Sequence, residues 1–217
     1  MDIKLAYTVT PEGKIHLTED NCLTNKSTFE ELFFTHVLRH RANTESLLEW
    51  LDEATDFYLA PCSTIFHLNI SGGLCLHTLA VLHNLDRFCD TFYPEFPSVS
   101  RVVCALLHDL CKANTYRPCI KSRKTGEYYP NGKPIWEDYQ GYEFDEQLPY
   151  GHGEKSVFLA MKHIPLTNEE AMAIRWHMGG FDNAAKTDSR TLSKATEKFP
   201  VITLLQAADM IATSQGF

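Results

Sequence analysis

The sequence lacks three features that would each indicate a particular class of protein. No apolar run reaches the roughly 18–20 residues that a membrane-spanning helix requires. The 20 lysines and arginines are outnumbered by 28 aspartates and glutamates, and a net charge of −8 argues against an extended nucleic-acid groove. The first residues, Met1 to Lys4, show no signal-peptide pattern. We therefore expect a cytoplasmic protein without a membrane partner.

Signals for disulfides and for cysteine-based zinc knots are missing as well. There are seven cysteines, an odd number, and no two of them form a CxxC pair. Four lie in apolar segments that have helical character: Cys75, Cys89, Cys104 and Cys111. We interpret these four as reduced, small core residues.

The chain length predicts one domain with appendages. Alternating apolar residues over 3–18, with a turn at Pro11–Gly13, predict an N-terminal β-hairpin. We place this appendage at residues 1–27 and a helical domain at 28–217. Its first helix is expected to be capped by Ser27 or Thr28, and a second amphipathic helix is predicted over 44–59, with Ala54 on its inner face.

Residues 115–150 interrupt the helical pattern. Turn signals such as Pro130–Gly132 alternate with short runs rich in tyrosine, which predicts an inserted β-hairpin. Its aromatic side chains are suited either to stacking a nucleobase or to covering the core, and the sequence leaves both interpretations open.

Several polar residues lie where an apolar helix face or a helix end is expected. Burying an unpaired polar group costs roughly 2–7 kcal/mol, so each of these groups needs a partner. They are His77 in the helix after Gly72–Gly73, His108 and Asp109 at the end of a helix over 98–112, His152 at the start of another, His177 at the end of the helix over 168–178, and Asp209 within a C-terminal helix over 201–213.

Together these six residues predict an all-α bundle with a divalent-metal site at its centre. Imidazole and carboxylate ligands without thiolate suit one or two ions of Mn, Fe, Co, Ni, Zn or Mg. Other histidines have simpler explanations. His36 and His40, spaced i and i+4, are expected on a partly exposed helix face, and His83 and His163 are expected to be structural.

The chain resembles the HD-domain metal-dependent phosphohydrolase superfamily. The family's pattern of a His, a His-Asp doublet and a distal Asp corresponds to His77, His108-Asp109 and Asp209, so the resemblance spans roughly residues 67–213. His152 and His177 lie in the interval where members with binuclear centres carry two further histidines. Cys111 is a departure, because many members have glycine before the lysine. We expect it to alter only local packing.

The resemblance implies that His77, His108, Asp109 and Asp209 hold one cation. Asp109 would bridge to a second cation, completed by His152 and His177. A shared water would then be activated as the nucleophile against a phosphoester or phosphoanhydride bond.

The small-molecule substrate is expected to be a nucleotide. Lys112 is the first candidate for a phosphate contact, and an ordinary solvated lysine is the alternative. Lys155 is a weaker candidate, and Glu154 is expected to support a metal ligand.

Three other functions remain open. A 3′–5′ exoribonuclease or phosphodiesterase acting on short nucleic acid fits the family but not the net acidity. A di-iron mono-oxygenase would use a similar ligand set. A nucleotide-binding module of the HD type, without catalysis, would normally have lost some of the six ligands.

Overall fold

The computed structural model describes all 217 residues, and helices dominate it. Its nine α-helices are α1 Glu19–Phe33, α2 Glu45–Glu53, α3 Gly73–Phe92, α4 Ser98–Leu107, α5 His152–Ala160, α6 Asn168–Trp176, α7 Asn183–Thr187, α8 Ser189–Lys198 and α9 Val201–Ser214. Two antiparallel hairpins accompany them, β1 Thr8–Val9 with β2 Ile15–His16, and β3 Tyr116–Tyr128 with β4 Pro134–Phe144. The prediction of a helical protein with two small hairpins is therefore confirmed. None of the helices combines the length and the apolar character needed to cross a bilayer.

Helix α1 begins earlier than the sequence pattern suggested. Thr18 is its N-cap, since the Thr18 hydroxyl accepts from the Asn21 backbone N–H at 3.2 Å and the Asn21 side chain accepts from the Thr18 N–H at 3.1 Å. The prediction of a cap at Ser27 or Thr28 was wrong, because asparagine takes the place that glutamate usually has in a capping box. The boundary expected at residue 27 therefore falls inside α1.

Helix α3 is the central element of the bundle. Most of its residues are buried, and it packs between α1, α4 and α9. The core around it includes Phe29, Leu79, Val103 and Leu205. Burial of such side chains contributes about 1.5–3 kcal/mol each, so this packing holds the helix ends that surround the site.

Helix α2 is shorter than predicted. Leu47 and Leu51 are fully buried, as the periodicity indicated, but the helix ends at Glu53 and Ala54 is exposed. Asp56, beyond that end, forms paired hydrogen bonds with Asn114 instead of continuing the helix: its backbone N–H donates to the Asn114 side chain at 2.9 Å, and its carboxylate accepts from the Asn114 N–H at 2.6 Å. These hydrogen bonds attach the segment 54–59 to Asn114, which lies shortly after His108 and Asp109 in the chain.

The inserted hairpin projects from the bundle. Its register runs from Tyr116 opposite Phe144 to Tyr128 opposite Pro134, and among its strand residues Gly141 alone is buried. Tyr128 and Trp136 near its tip are 66% and 55% exposed. The aromatic side chains at the tip therefore do not cover the core.

Candidate metal centre

A break in the chain after α4 brings two adjacent side chains to the same site. The helix ends at Leu107, not at 112 as predicted, and Asp109 has φ −104° and ψ 20°, outside the helical range. A short 3₁₀ turn, Leu110–Lys112, follows. On a continuous helix, neighbouring residues diverge by about 100°. The break removes that divergence, so His108 and Asp109 both face the centre.

A glycine brings the start of α5 against the end of α6. A Cβ at Gly153 would lie 2.1 Å from the carbonyl oxygen of Arg175, a contact that real side chains do not make. Glycine at this position therefore permits the two helix ends to touch. As a result the His152 and His177 rings are 5.1 Å apart between centroids.

The carboxylate of Asp109 lies at the middle of the site, and its two oxygens face different histidines. Oδ2 is 3.4 Å from Nε2 of His108 and 3.6 Å from Nε2 of His77. Oδ1 is 2.9 Å from Nε2 of His152 and 3.6 Å from Nε2 of His177. Asp209 adds a second carboxylate, 3.1 Å from Nε2 of His77. The structure thus brings together all six residues singled out in the sequence.

Two of these histidines are held in one tautomer. Nδ1 of His108 lies 2.7 Å from the carbonyl of Ala105, and Nδ1 of His177 lies 2.7 Å from the carbonyl of Ile174. A carbonyl can only accept, so each Nδ1 carries the proton. Each Nε2 then faces Asp109, which is the orientation of a metal-ligating imidazole.

The centre also contains most of the unsatisfied polar atoms of the protein. Five buried side-chain atoms have no hydrogen-bond partner, and four of them are Nδ1 and Nε2 of His77, Nε2 of His108 and Nε2 of His177. The 3.1 Å approach of His77 to Asp209 is not aligned as a hydrogen bond. An unsatisfied buried group costs about 1–3 kcal/mol, and a cation bound by these atoms would offset that cost.

The charges of the centre favour ionised carboxylates. Burial raises the pKa of the Asp109 carboxyl, but Lys112 and His108 hold it well below its usual range. Burial lowers the pKa of His177, which keeps that imidazole neutral and able to bind a cation. Burial also lowers the pKa of His152, yet Cys111 and Asp109 together raise it to about 10.

The three predicted accessory residues have different environments. Lys112 is not a solvated lysine, because its side chain is 14% exposed and its ammonium lies 2.6 Å from Oδ2 of Asp109. Lys155 pairs with Glu146 at 2.7 Å and is 6% exposed, so its charge is already balanced. Glu154 pairs with Arg175 at 2.5 Å and supports no metal ligand.

The thiol of Cys111 packs against one of the predicted ligands. Its Sγ lies 3.3 Å from Nδ1 of His152, whose Nε2 faces Asp109. The Cys111 backbone N–H donates to the Ser156 hydroxyl at 3.0 Å, which ties the turn to α5. The turn that follows α4 therefore contacts the start of α5 through both the backbone and the side chain of Cys111.

Four other histidines lie away from the centre or at its margin. His36 is half-buried in the helical turn Phe34–Leu38 after α1, and His40 is exposed just beyond that turn. His83 is half-buried on α3. His163 stacks on Trp50 with ring centroids 4.7 Å apart and contacts the Ser46 hydroxyl. The structural interpretation of His163 agrees with these contacts.

Sequence reasoning missed two residues beside the centre, Cys62 and His67. Nε2 of His67 lies 3.4 Å from Sγ of Cys62, and the His67 ring is 5.1 Å from that of His77. Both lie in the connector before α3, where no periodicity marks a buried face. A cysteine and a histidine five residues apart, directly before a helix that carries a candidate ligand, were the available signal.

A cavity of about 500 Å³ opens onto Asp109 and Asp209. Lys112 and His152 also line it, as do three aromatic side chains, Phe66, Tyr116 and Phe181. Phe66 and Phe181 are 73% and 64% exposed, so their rings stand at the mouth without a partner. The size falls within the range of small-molecule sites.

The chemistry of the donor set fits a divalent cation. Three groups of histidine, aspartate and cysteine around Asp109 place their donor atoms within 4.8 Å of one another and could each hold a metal ion. Comparison with known proteins gives no family: no family model, no curated protein and no solved structure matches the chain.

Proposed function

We propose that this protein is a metal-dependent phosphohydrolase of the HD-domain superfamily that cleaves a phosphoester or phosphoanhydride bond of a nucleotide-type substrate. The observation that carries the proposal is the convergence of buried imidazole nitrogens without hydrogen-bond partners on the single carboxylate of Asp109. In a purely structural core histidine, the buried ring nitrogens are expected to have hydrogen-bond partners.

The division of contacts around Asp109 supports a centre for two cations. His77, His108 and Asp209 lie on the Oδ2 side or beside it, whereas His152 and His177 lie on the Oδ1 side. A carboxylate that offers one oxygen to each set is suited to bridging. Two divalent cations held by these residues would supply the acidity that activates a water molecule, lowering its pKa toward about 7, and would neutralise charge on phosphoryl oxygens.

The residues of the chain have separate tasks in this proposal. Asp109 and Asp209 provide the negative charge, and His108 and His177 provide imidazoles whose Nδ1 atoms are fixed by backbone carbonyls. Lys112, on the cavity wall beside Asp109, donates to a phosphoryl oxygen. Lys155 is left out of this role, since it does not line the cavity that opens onto Asp109.

The shape of the cavity supports a small substrate with a planar portion. A volume of about 500 Å³ admits a mononucleotide-sized ligand. Stacking of a base on an aromatic ring contributes about 1–3 kcal/mol, and Phe66 or Phe181 is free to provide it.

Metal analysis combined with a substrate panel tests the proposal. The purified protein is assayed for bound metals and then incubated with Mn²⁺ and nucleoside mono-, di- and triphosphates, cyclic dinucleotides, short RNA and p-nitrophenyl phosphate. His77→Gln is expected to lose bound metal and hydrolysis. His83→Gln, on the same helix but outside the centre, is the matched control and is expected to keep both.

Two results would overturn the proposal. Hydrolysis and metal content that are the same in His77→Gln and in the wild type would remove His77 from the centre. Tight metal and nucleotide binding without turnover of any panel member would make the protein a binding module.

A further inference from the structure

A second set of donor atoms adjoins the centre and is not used by the proposed hydrolysis. Cys62, His67 and His77 each place one ligand atom within 4.8 Å of the others. Cys62 is fully buried and His67 is half-buried. His77 belongs to both sets, and each of its two ring nitrogens lacks a partner.

The spacing of these atoms fits a tetrahedral cation that accepts sulfur. Zn–S and Zn–N bonds of about 2.3 and 2.0–2.1 Å place the sulfur and nitrogen of two ligands about 3.6 Å apart. Sγ of Cys62 and Nε2 of His67 are 3.4 Å apart without any cation between them. Thiolate with imidazole is a softer donor set than the carboxylates around Asp109, so the two sites differ in metal preference.

The connector holds the two residues together in advance. The Cys62 N–H donates to the carbonyl of Leu68 at 2.9 Å, and the Ser63 hydroxyl donates to the carbonyl of His67 at 2.9 Å. A Cβ at Gly73 would lie 2.2 Å from the Leu68 carbonyl oxygen, so glycine permits the connector to rest on the first turn of α3. That contact places Cys62 and His67 next to His77.

A cation bound beside Cys62 can take the place of the positive charge of Lys112. Lys112 places its ammonium 3.3 Å from Sγ of Cys62 as well as 2.6 Å from Asp109. Its long side chain can turn into the adjoining cavity, which it already lines. A cation bound to the Cys62 thiolate would replace the positive charge that Lys112 now supplies.

We propose that Cys62, His67 and His77 form a binding site for a soft divalent cation of the Zn²⁺ type, next to the Asp109-centred site and sharing His77 with it. A soft cation at this site engages an imidazole that the hydrolytic centre also needs. Excess Zn²⁺ is therefore expected to inhibit the Mn²⁺-loaded protein through Cys62.

Cobalt titration of the metal-free full-length protein tests the site directly. Co²⁺ bound to a thiolate has a sulfur-to-metal charge-transfer absorption in the near ultraviolet, which histidine and carboxylate ligands do not produce. The wild type is expected to show this absorption and Cys62→Ser to lose it. Cys111→Ser is the matched control, because Cys111 is the other thiol beside the centre, and it is expected to keep the absorption.

His67→Gln provides a second variant with little risk to folding, since His67 is half-buried in a connector. It is expected to weaken the cobalt-dependent absorption by at least about tenfold in affinity, and thermal denaturation verifies that each variant is folded. Absence of the absorption in the wild type, its persistence in Cys62→Ser, or its loss in Cys111→Ser would each overturn the site.

The cobalt titration tests the soft-metal site independently of the proposed hydrolysis. A protein that hydrolyses nucleotides with Mn²⁺ but shows no thiolate absorption would disprove this site alone. Absorption that depends on Cys62 in a protein that hydrolyses nothing would disprove the hydrolase and leave the soft-metal site standing.

Discussion

Helix α3 carries two buried polar clusters that differ in how their atoms are satisfied. Near its first turns, His77 has two unpartnered nitrogens beside Asp109 and Asp209. Further along, Asp86 is paired with Arg101 at 2.9 Å and with the amino group of Met1. Arg101 also donates to the carbonyl of Phe96 at 3.0 Å, and no atom of this second cluster lacks a partner.

The comparison separates a structural cluster from a candidate functional one. Both clusters bury charge, so burial alone does not distinguish them. A buried ion pair with complete hydrogen bonding is consistent with a purely structural role. The cluster around His77 has excess acceptors and too few donors, which is what a cation-binding site requires in the absence of its cation.

The largest expected effect is that of Asp109→Ala. This change removes the carboxylate that faces both histidine sets, so bound metal and phosphoester hydrolysis should fall to background. Metal analysis and the substrate panel measure both losses. Asp138→Ala, on the exposed hairpin, is the control. Unchanged turnover in Asp109→Ala would remove the mechanism.

In the cluster of Asp86 and Arg101, whose buried atoms have partners, a substitution should lower stability and leave metal binding unchanged. Arg101→Met leaves Asp86 buried with one partner fewer, and breaking such a pair is expected to reduce the free energy of unfolding by about 3 kcal/mol. Urea denaturation measures the loss, and metal content per folded molecule should not change. A loss of metal together with stability would show that the two clusters are not independent.

The opposite response is expected at His77 when no metal is present. His77→Leu removes two buried nitrogens that lack hydrogen-bond partners, so the metal-free protein should gain about 1 kcal/mol in the free energy of unfolding. Urea denaturation in the presence of a chelator tests this. If the variant is instead as destabilised as Arg101→Met, the nitrogens of His77 have partners in solution.

The smallest effect is expected for His40→Ala, in neither cluster. His40 is exposed, so stability should stay within about 0.5 kcal/mol and activity should not change. Parallel denaturation and hydrolysis assays measure both. A severe loss of activity would mean that the ligand set includes the wrong histidines.

Much of the fold could be predicted because its signals are local. The inserted hairpin and the helix predicted from residue 168 both formed, and their signals are contained in a few residues each: turn residues with tyrosine-rich runs for the hairpin, and the Thr167–Glu170 capping box for the helix. The start of α1 was missed because Asn21 replaces the usual partner of Thr18 in the cap. The end of α4 was missed because an apolar run of leucines and valines carries no stop signal.

The residues of the candidate site also divide into those that the sequence identified and those that it missed. A polar residue within an apolar helix can be recognised from the sequence alone. Six candidate ligands were identified for that reason: His77, His108, Asp109, His152, His177 and Asp209. Cys62 and His67 were not, since a connector has no expected buried face against which a polar residue stands out. Their contact with His77 depends on the approach of the connector to Gly73.

The sequence by itself determined which residues are out of place in an apolar core, because periodicity and the cost of desolvation are properties of short segments. Only the tertiary structure decided which of them share partners. Asp86 is paired with Arg101, whereas His77 lies beside two carboxylates without an aligned hydrogen bond. That difference arises where separate helices and a connector meet.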